Sequence, residues 1–181
     1  MAPPDVYFNG NLTITVWVKL NSKHFHNKIL AFSDEINSNN VELSTYFDGR
    51  SHIGFWIRNK DIFSSIGSNT ELVIDKWNHV SVSLMKTEAK IYLNGQLDKT
   101  GYISPPKPTV RTLNYIGKSN WNNENADAIY DELKIFNRAL LPEEIAYEAS
   151  LKKTLLITKS NSSTSNKSII SIFFCLTLVL I

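Results

Sequence analysis

Asp131 is the carboxylate in this chain whose position most needs a chemical partner. In residues 129–145, IYDELKIFNRALLPEEI, the side chains of Ile129, Leu133 and Ile135 recur at period two, which puts them on one face of a strand, and Asp131 falls on that same apolar face. A carboxylate buried there requires backbone N–H groups, a Lys or Arg, or a metal ion, because an isolated buried charge is strongly disfavoured. An oxygen-rich run, Asn122, Asn123, Glu124, Asn125 and Asp127, lies just before it. The expectation is backbone hydrogen bonding to Asp131 and an ordinary Asn-rich turn, with no tightly bound ion; the alternative is at most one calcium ion, for which Asp127 and Asp131 are the candidate ligands. No motif in the chain requires a cofactor.

The second set of residues with usable chemistry is aromatic. Trp56 alternates out of phase with Ile53, Phe55 and Ile57, and Arg58 shares its face, so one surface of that strand carries an indole beside a cation. A sugar ring can stack there, or a loop can cover Trp56 and make it core. Trp121, with Asn120, Asn122 and Asn123 around it, is a candidate on a loop rim, where binding residues gather on a rigid scaffold. His24, His26, His52 and His79 form no zinc pattern, because no Cys or carboxylate completes the His24-x-His26 pair. No G-x-S-x-G turn marks a nucleophile, and Asp131 and Glu132, as neighbours on a strand, point to opposite faces.

The elements that must position these residues read as strands throughout. Leu12, Ile14, Val16, Val18 and Leu20 alternate, as do Val41, Leu43, Thr45 and Phe47, then Ile53, Phe55 and Ile57, then Val80, Val82 and Leu84. Ile91 and Leu93 lead into Asn94-Gly95, a two-residue hairpin signal, since both central positions of a type I′ turn need positive φ. The run Ser104, Pro105, Pro106, Lys107, Pro108 cannot join a central ladder and reads as an extended surface connection before a strand at Leu113. Pro142 suits the first position of a short helix, with Glu143 and Glu144 complementing its N-terminus. Many short strands with polar turns predict an all-β sandwich of two antiparallel sheets.

A length of 181 residues fits one such domain with appended segments, over residues 5–150, a polar Ser/Asn-rich stalk over 151–168 and an apolar tail over 169–181. Net charge is +2 with 20% charged residues and no basic stretch interleaved with aromatics, which argues against nucleic acid as a partner. The one cysteine, Cys175, lies in the tail, so the sandwich has no internal disulfide and is held by packing. The tail, IISIFFCLTLVLI, is shorter than the roughly 20 residues of a comfortable membrane span. Preceded by small and polar residues, it fits a lipid-anchor signal of the GPI type with Ser160, Asn161 and Ser162 as the attachment region; a short membrane or interfacial segment, or a tail with no membrane role, are the alternatives. Asn11, Asn161 and Asn166 stand in N-x-S/T triplets, candidate glycosylation acceptors of a secreted-route or cell-surface protein. The N-terminus shows no entry signal, and the chain is expected to be an N-terminally incomplete form.

Four separated pieces, FNGNLTITVWVKL from Phe8, WNHV from Trp77, KIYLNGQL from Lys90, and the stretch from Tyr115 to Ile145, match in order and spacing the laminin-G-like and pentraxin-like branch of the concanavalin A-like lectin/glucanase superfamily. The resemblance implies a jelly-roll sandwich with a short helix near its C-terminal end. It also implies recognition of glycans or extracellular proteins, often with calcium, through loops that vary between members. Where pentraxins place calcium ligands, this chain has Lys118, Ser119, Asn120 and Trp121, a set too poor in oxygen for that calcium pair. The Glu-x-Asp-x-x-Glu strand of the related glucanases is absent, so the expectation is a non-catalytic recognition module. A divergent glycoside hydrolase or lyase and a purely architectural domain are the alternatives. Trp17 and Trp77 occupy positions shared with the family, which implies packing roles.

Overall fold

The computed structural model describes residues 1–23, 27–36, 38–121, 125–161 and 179–180, with only the backbone described for 152–161 and 179–180. The alternating stretches form strands, in order β1 (Leu12–Leu20), β2 (Lys28–Ser33), β3 (Val41–Ser44), β4 (His52–Asn59), β5 (Ile62–Glu71), β6 (Trp77–Met85), β7 (Glu88–Leu93), β8 (Gln96–Tyr102), β9 (Leu113–Ile116) and β10 (Ala128–Phe136). Helix α1 (Pro142–Asn161) and a two-residue strand β11 (Val179–Leu180) follow. One sheet has the order β11-β10-β1-β6-β7-β8 and the other β5-β4-β3-β2-β9, every pairing being antiparallel except the short parallel one between β10 and β11.

The two sheets face each other across one core. Leu12, Ile14, Val16, Val18 and Leu20 from β1 meet Ile53, Phe55 and Ile57 from β4, all of them fully buried. This is the two-layer solution for sheets that are each apolar on one face. Asn94 and Gly95 turn β7 into β8 with φ of 51° and 81°, as a type I′ turn requires. The Pro-rich connection runs over the surface. Asn59 fixes it, donating from Nδ2 to Pro105 O at 2.9 Å and accepting from Lys107 N at 3.1 Å. Just beyond it Arg111 is wholly buried, donating to Asn39 O at 3.1 Å and Lys107 O at 3.2 Å.

Helix α1 begins at Pro142, and Ile145 packs with Leu140, Phe136 and Tyr92 in a second apolar cluster. Glu144 ties the helix entry down, accepting from Leu141 N at 2.8 Å and from both terminal guanidinium nitrogens of Arg138 at 2.7 and 2.8 Å; the hydrogen bonds from Arg138 first, and from Leu141 N second, hold its carboxyl down at about 2. The helix does not stop near residue 150. Its backbone continues to Asn161, into the stretch read as stalk, because neither Gly nor Pro follows Pro142 and the intervening sequence is rich in Ala, Glu, Leu and Lys. No helix among the described residues is long and apolar enough to cross a membrane.

The strand carrying Asp131 departs from simple alternation. Thr15 pairs with Lys134 and Trp17 with Asp131, so two steps on β1 match three on β10, and Glu132 takes φ of 52° at the irregularity. This β-bulge inserts one residue and flips every side chain beyond it to the other face. Leu133 and Ile135 face the core, but so do Ala128 and Tyr130 rather than Ile129 and Asp131. The expectation that Asp131 shares the core face is therefore corrected.

Candidate functional site

On the outer face of the five-stranded sheet, register brings two rows of side chains together. Ala31, Glu42, Trp56 and Ser65 lie opposite one another across β2, β3, β4 and β5, and Arg58 lies opposite Phe63, with its backbone N–H donating to Asn40 O at 2.9 Å. Trp56 lies flat on the sheet because position 54 is glycine: a Cβ there would sit 2.1 Å from Cη2 of the indole. The ring is flanked by Phe47, with centroids 5.3 Å apart, and Lys28 Nζ stands 4.6 Å from the indole centroid. Lys28 is in turn ion-paired to Glu42 at 3.1 Å, with side chains 16% and 9% exposed. Asn40 Nδ2 donates to Glu42 Oε1 at 3.3 Å.

Trp121 reaches this face from the loop after β9, which neighbours β2. The loop is pinned by Asn120. In the amide orientation that satisfies both of its ends, Nδ2 donates to Ala31 O at 3.0 Å and Leu113 O at 3.3 Å, and Oδ1 accepts from Ser33 Oγ at 2.5 Å. Ser119 Oγ adds a hydrogen bond from Trp121 N at 3.2 Å. Trp56, Phe63 and Trp121, with Lys28, Asn40, Glu42 and Arg58, line an open cavity of about 240 Å³. It is smaller than the ~300–1,000 Å³ of sites for drug-sized ligands, and its mixture of aromatic faces with convergent polar groups has the character of a small-ligand site. Two cations and one carboxylate give the described residues of its lining a formal charge of +1.

Three of the residues picked out from sequence, Trp56, Arg58 and Trp121, thus meet in one cavity, and Asn120 holds the loop that brings Trp121 there. Asn122 and Asn123 lie outside the described residues, as do Glu124, His24, His26, Ser162, Asn166 and Cys175; Ser160 and Asn161 are helical in backbone. Lys28, Asn40, Glu42 and Phe63 are the members that sequence reading missed. Glu42 had a signal: it is out of phase between Val41 and Leu43, as Trp56 is between Phe55 and Ile57.

The candidate metal ligands are otherwise engaged. Asp127 accepts from Asn21 Nδ2 at 3.0 Å and Ser22 Oγ at 2.5 Å, one on each carboxylate oxygen, and ties the β1–β2 connection to β10. Asp131 lies on the outer face of the other sheet opposite Trp17, with Oδ1 accepting from Glu132 N at 3.0 Å. Among the described residues no three His, Cys, Asp or Glu side chains converge as a metal site. Asn11 is exposed, with Oδ1 accepting from Lys86 N at 2.7 Å, while the hydroxyl of its triplet partner Thr13 is buried, donating to Arg138 O and accepting from Leu140 N, both at 2.9 Å. Trp17 packs on His79, centroids 5.2 Å apart. His79 is only 2% exposed, and burial, with Lys134 nearby, pushes its imidazole down to about 4.

A search of the curated proteins gave no match. Among solved structures, domain 4 of AbnA, a GH43 extracellular arabinanase from Geobacillus stearothermophilus, in complex with arabinotriose, superposes with a TM-score of 0.71 at 19% identity, over 81% of this chain and 70% of that one. The botulinum neurotoxin serotype G binding domain gives 0.59 at 18% identity, over 81% of this chain and 37% of the toxin chain. The heptameric SAP-like pentraxin from Limulus polyphemus gives 0.53 at 18% identity, over 78% and 70%. At these identities the likeness is one of fold. A family model described as the concanavalin A-like lectin/glucanases superfamily matches residues 1–146, most of the chain. With the jelly-roll sandwich in place, the chain belongs to the concanavalin A-like lectin/glucanase superfamily.

Proposed function

We propose that this chain is a non-catalytic recognition module for glycans, acting on the secreted route or at the cell surface, and that its ligand seats on Trp56 between Trp121 and Phe63. The observation that carries the reading is the cavity itself, three aromatic side chains around Asn40, Glu42 and Arg58. Aromatic faces take the apolar face of a sugar ring, and the amide and charged groups at the edge exchange hydrogen bonds with its hydroxyls. The arabinotriose complex of the arabinanase domain and the binding domains of the neurotoxins lend support from the same fold. Glycoside hydrolysis in its usual form needs two carboxylates about 5–9.5 Å apart. Among the described residues lining the cavity Glu42 is the one carboxylate, and Lys28 already neutralises it.

The reading is tested on a glycan array with the full-length chain and Trp56→Ala side by side. The wild-type protein should bind a defined subset of glycans, and the substitution should weaken them by roughly 30-fold, as removal of a central aromatic anchor does. Binding that survives Trp56→Ala unchanged, or an array on which nothing binds, would remove the proposal.

A further inference from the structure

Among the described residues, the cavity holds one cation without a carboxylate partner. Lys28 is committed to Glu42 at 3.1 Å, whereas the Arg58 guanidinium lies 5.4 Å from the Phe63 ring and meets no carboxylate among the described residues. A second polar group there is also incomplete. Asn40 is 3% exposed and gives its Nδ2 to Glu42, but its Oδ1 is buried without a hydrogen-bond partner. A buried acceptor left in that state is disfavoured, and a ligand hydroxyl donating to it removes the penalty.

From a guanidinium without a carboxylate partner among the described residues and an orphaned amide oxygen of a residue lining the same cavity, we infer that the sugar bound there is an acidic one, a carboxylate-bearing unit of the uronic or sialic type. The inference rests on the reading of the cavity as a glycan site and names the class of sugar. Its carboxylate lies on Arg58, whose planar fork presents two parallel donors to two carboxylate oxygens, and a ring hydroxyl donates to Asn40 Oδ1. Lys28 contributes indirectly, cancelling the Glu42 charge that would otherwise repel an anion. The one uncompensated cation among the described lining residues matches one carboxylate. A polysulfated chain would call for a run of cations, and the described lining supplies Lys28 and Arg58 alone.

Matched pairs that differ in the charged group test this: 3′-sialyllactose against lactose, and trigalacturonate against its methyl ester, titrated calorimetrically into the full-length protein. At least one acid should bind about 10- to 100-fold more tightly than its neutral counterpart, the range expected of a charge-assisted hydrogen-bonded pair. Arg58→Gln should erase that preference, and Arg58→Lys, which keeps the charge without the fork, should retain a fraction of it. Should Arg58→Gln fail to fold, Arg58→Lys carries the comparison. Trp56→Ala should weaken acid and neutral ligands alike. Neutral sugars that bind as tightly as acids, and lose affinity with Trp56→Ala, would overturn the acidic assignment and leave the recognition reading standing. A preference for acids that survives both Arg58 substitutions would also overturn it. No binding by any of the four probes overturns it as well, and silence on the glycan array in addition would bring down the underlying reading.

Discussion

Acid should destabilise this fold through one histidine. His79 sits under Trp17 on β6, 2% exposed, with Ser81 Oγ 3.5 Å from its Nδ1 and Lys134 close enough to oppose a second positive charge. Burial above all, with Lys134 second, lowers its pKa from 6.5 to about 4. The folded state therefore refuses a proton that the unfolded chain accepts. The resulting stability is fully present above pH 6.5 and is lost as pH falls toward 4. At about 1.4 kcal/mol for each tenfold change in proton affinity, the drop from 6.5 to about 4 amounts to about 3 kcal/mol. Against a typical total of about 5–15 kcal/mol that is a large share. Urea denaturation of the wild type and His79→Gln at intervals from pH 7.5 to 4.5 isolates the effect, since carboxylate titrations cancel in the difference. The advantage of the wild type should shrink by most of that amount across the range. Parallel pH profiles would refute the assignment of the acid sensitivity to His79.

Three further outcomes follow from the geometry. Gly54→Ala would place a Cβ 2.1 Å from the Trp56 ring, so the indole must leave the sheet and glycan affinity should fall as far as with Trp56→Ala, read on the same array. The occupied oxygens of Asp127 predict that calcium added after chelation leaves the melting temperature unchanged; a large rise abolished by Asp131→Asn would contradict this. For the tail, residues 169–181, we propose membrane attachment through a lipid anchor, and phosphatidylinositol-specific phospholipase should release the protein from expressing cells, whereas a retained chain still carrying the tail would favour a membrane segment.

Most of the sandwich was legible because alternation is a local signal. Each apolar residue picked out in β1 and β4 faces the core, and Asn94-Gly95 makes the predicted turn. The error at Asp131 has a single cause. A period-two reading assumes unbroken pairing, and nothing in the letters IYDELKIF marks the extra residue that the Glu132 bulge inserts. Two of the seven described lining residues were legible for the same local reason, since Trp56 and Arg58 are two apart on one strand. Trp121 joins them only because β9 pairs with β2, a contact between distant segments that no local pattern specifies. The Lys28–Glu42 pair was hidden likewise, its partners being on different strands.

The four tryptophans allow the central claim to be tested in one titration. Trp56 and Trp121 line the cavity, whereas Trp17 and Trp77 lie on β1 and β6 of the other sheet. In ¹⁵N-correlated NMR spectra of the full-length protein, each indole N–H gives its own signal, assignable by substitution. Adding a glycan identified on the array should move the signals of Trp56 and Trp121 and leave those of Trp17 and Trp77 in place. Movement confined to Trp17 and Trp77, or bound glycan with the Trp56 and Trp121 signals unmoved, would contradict the site.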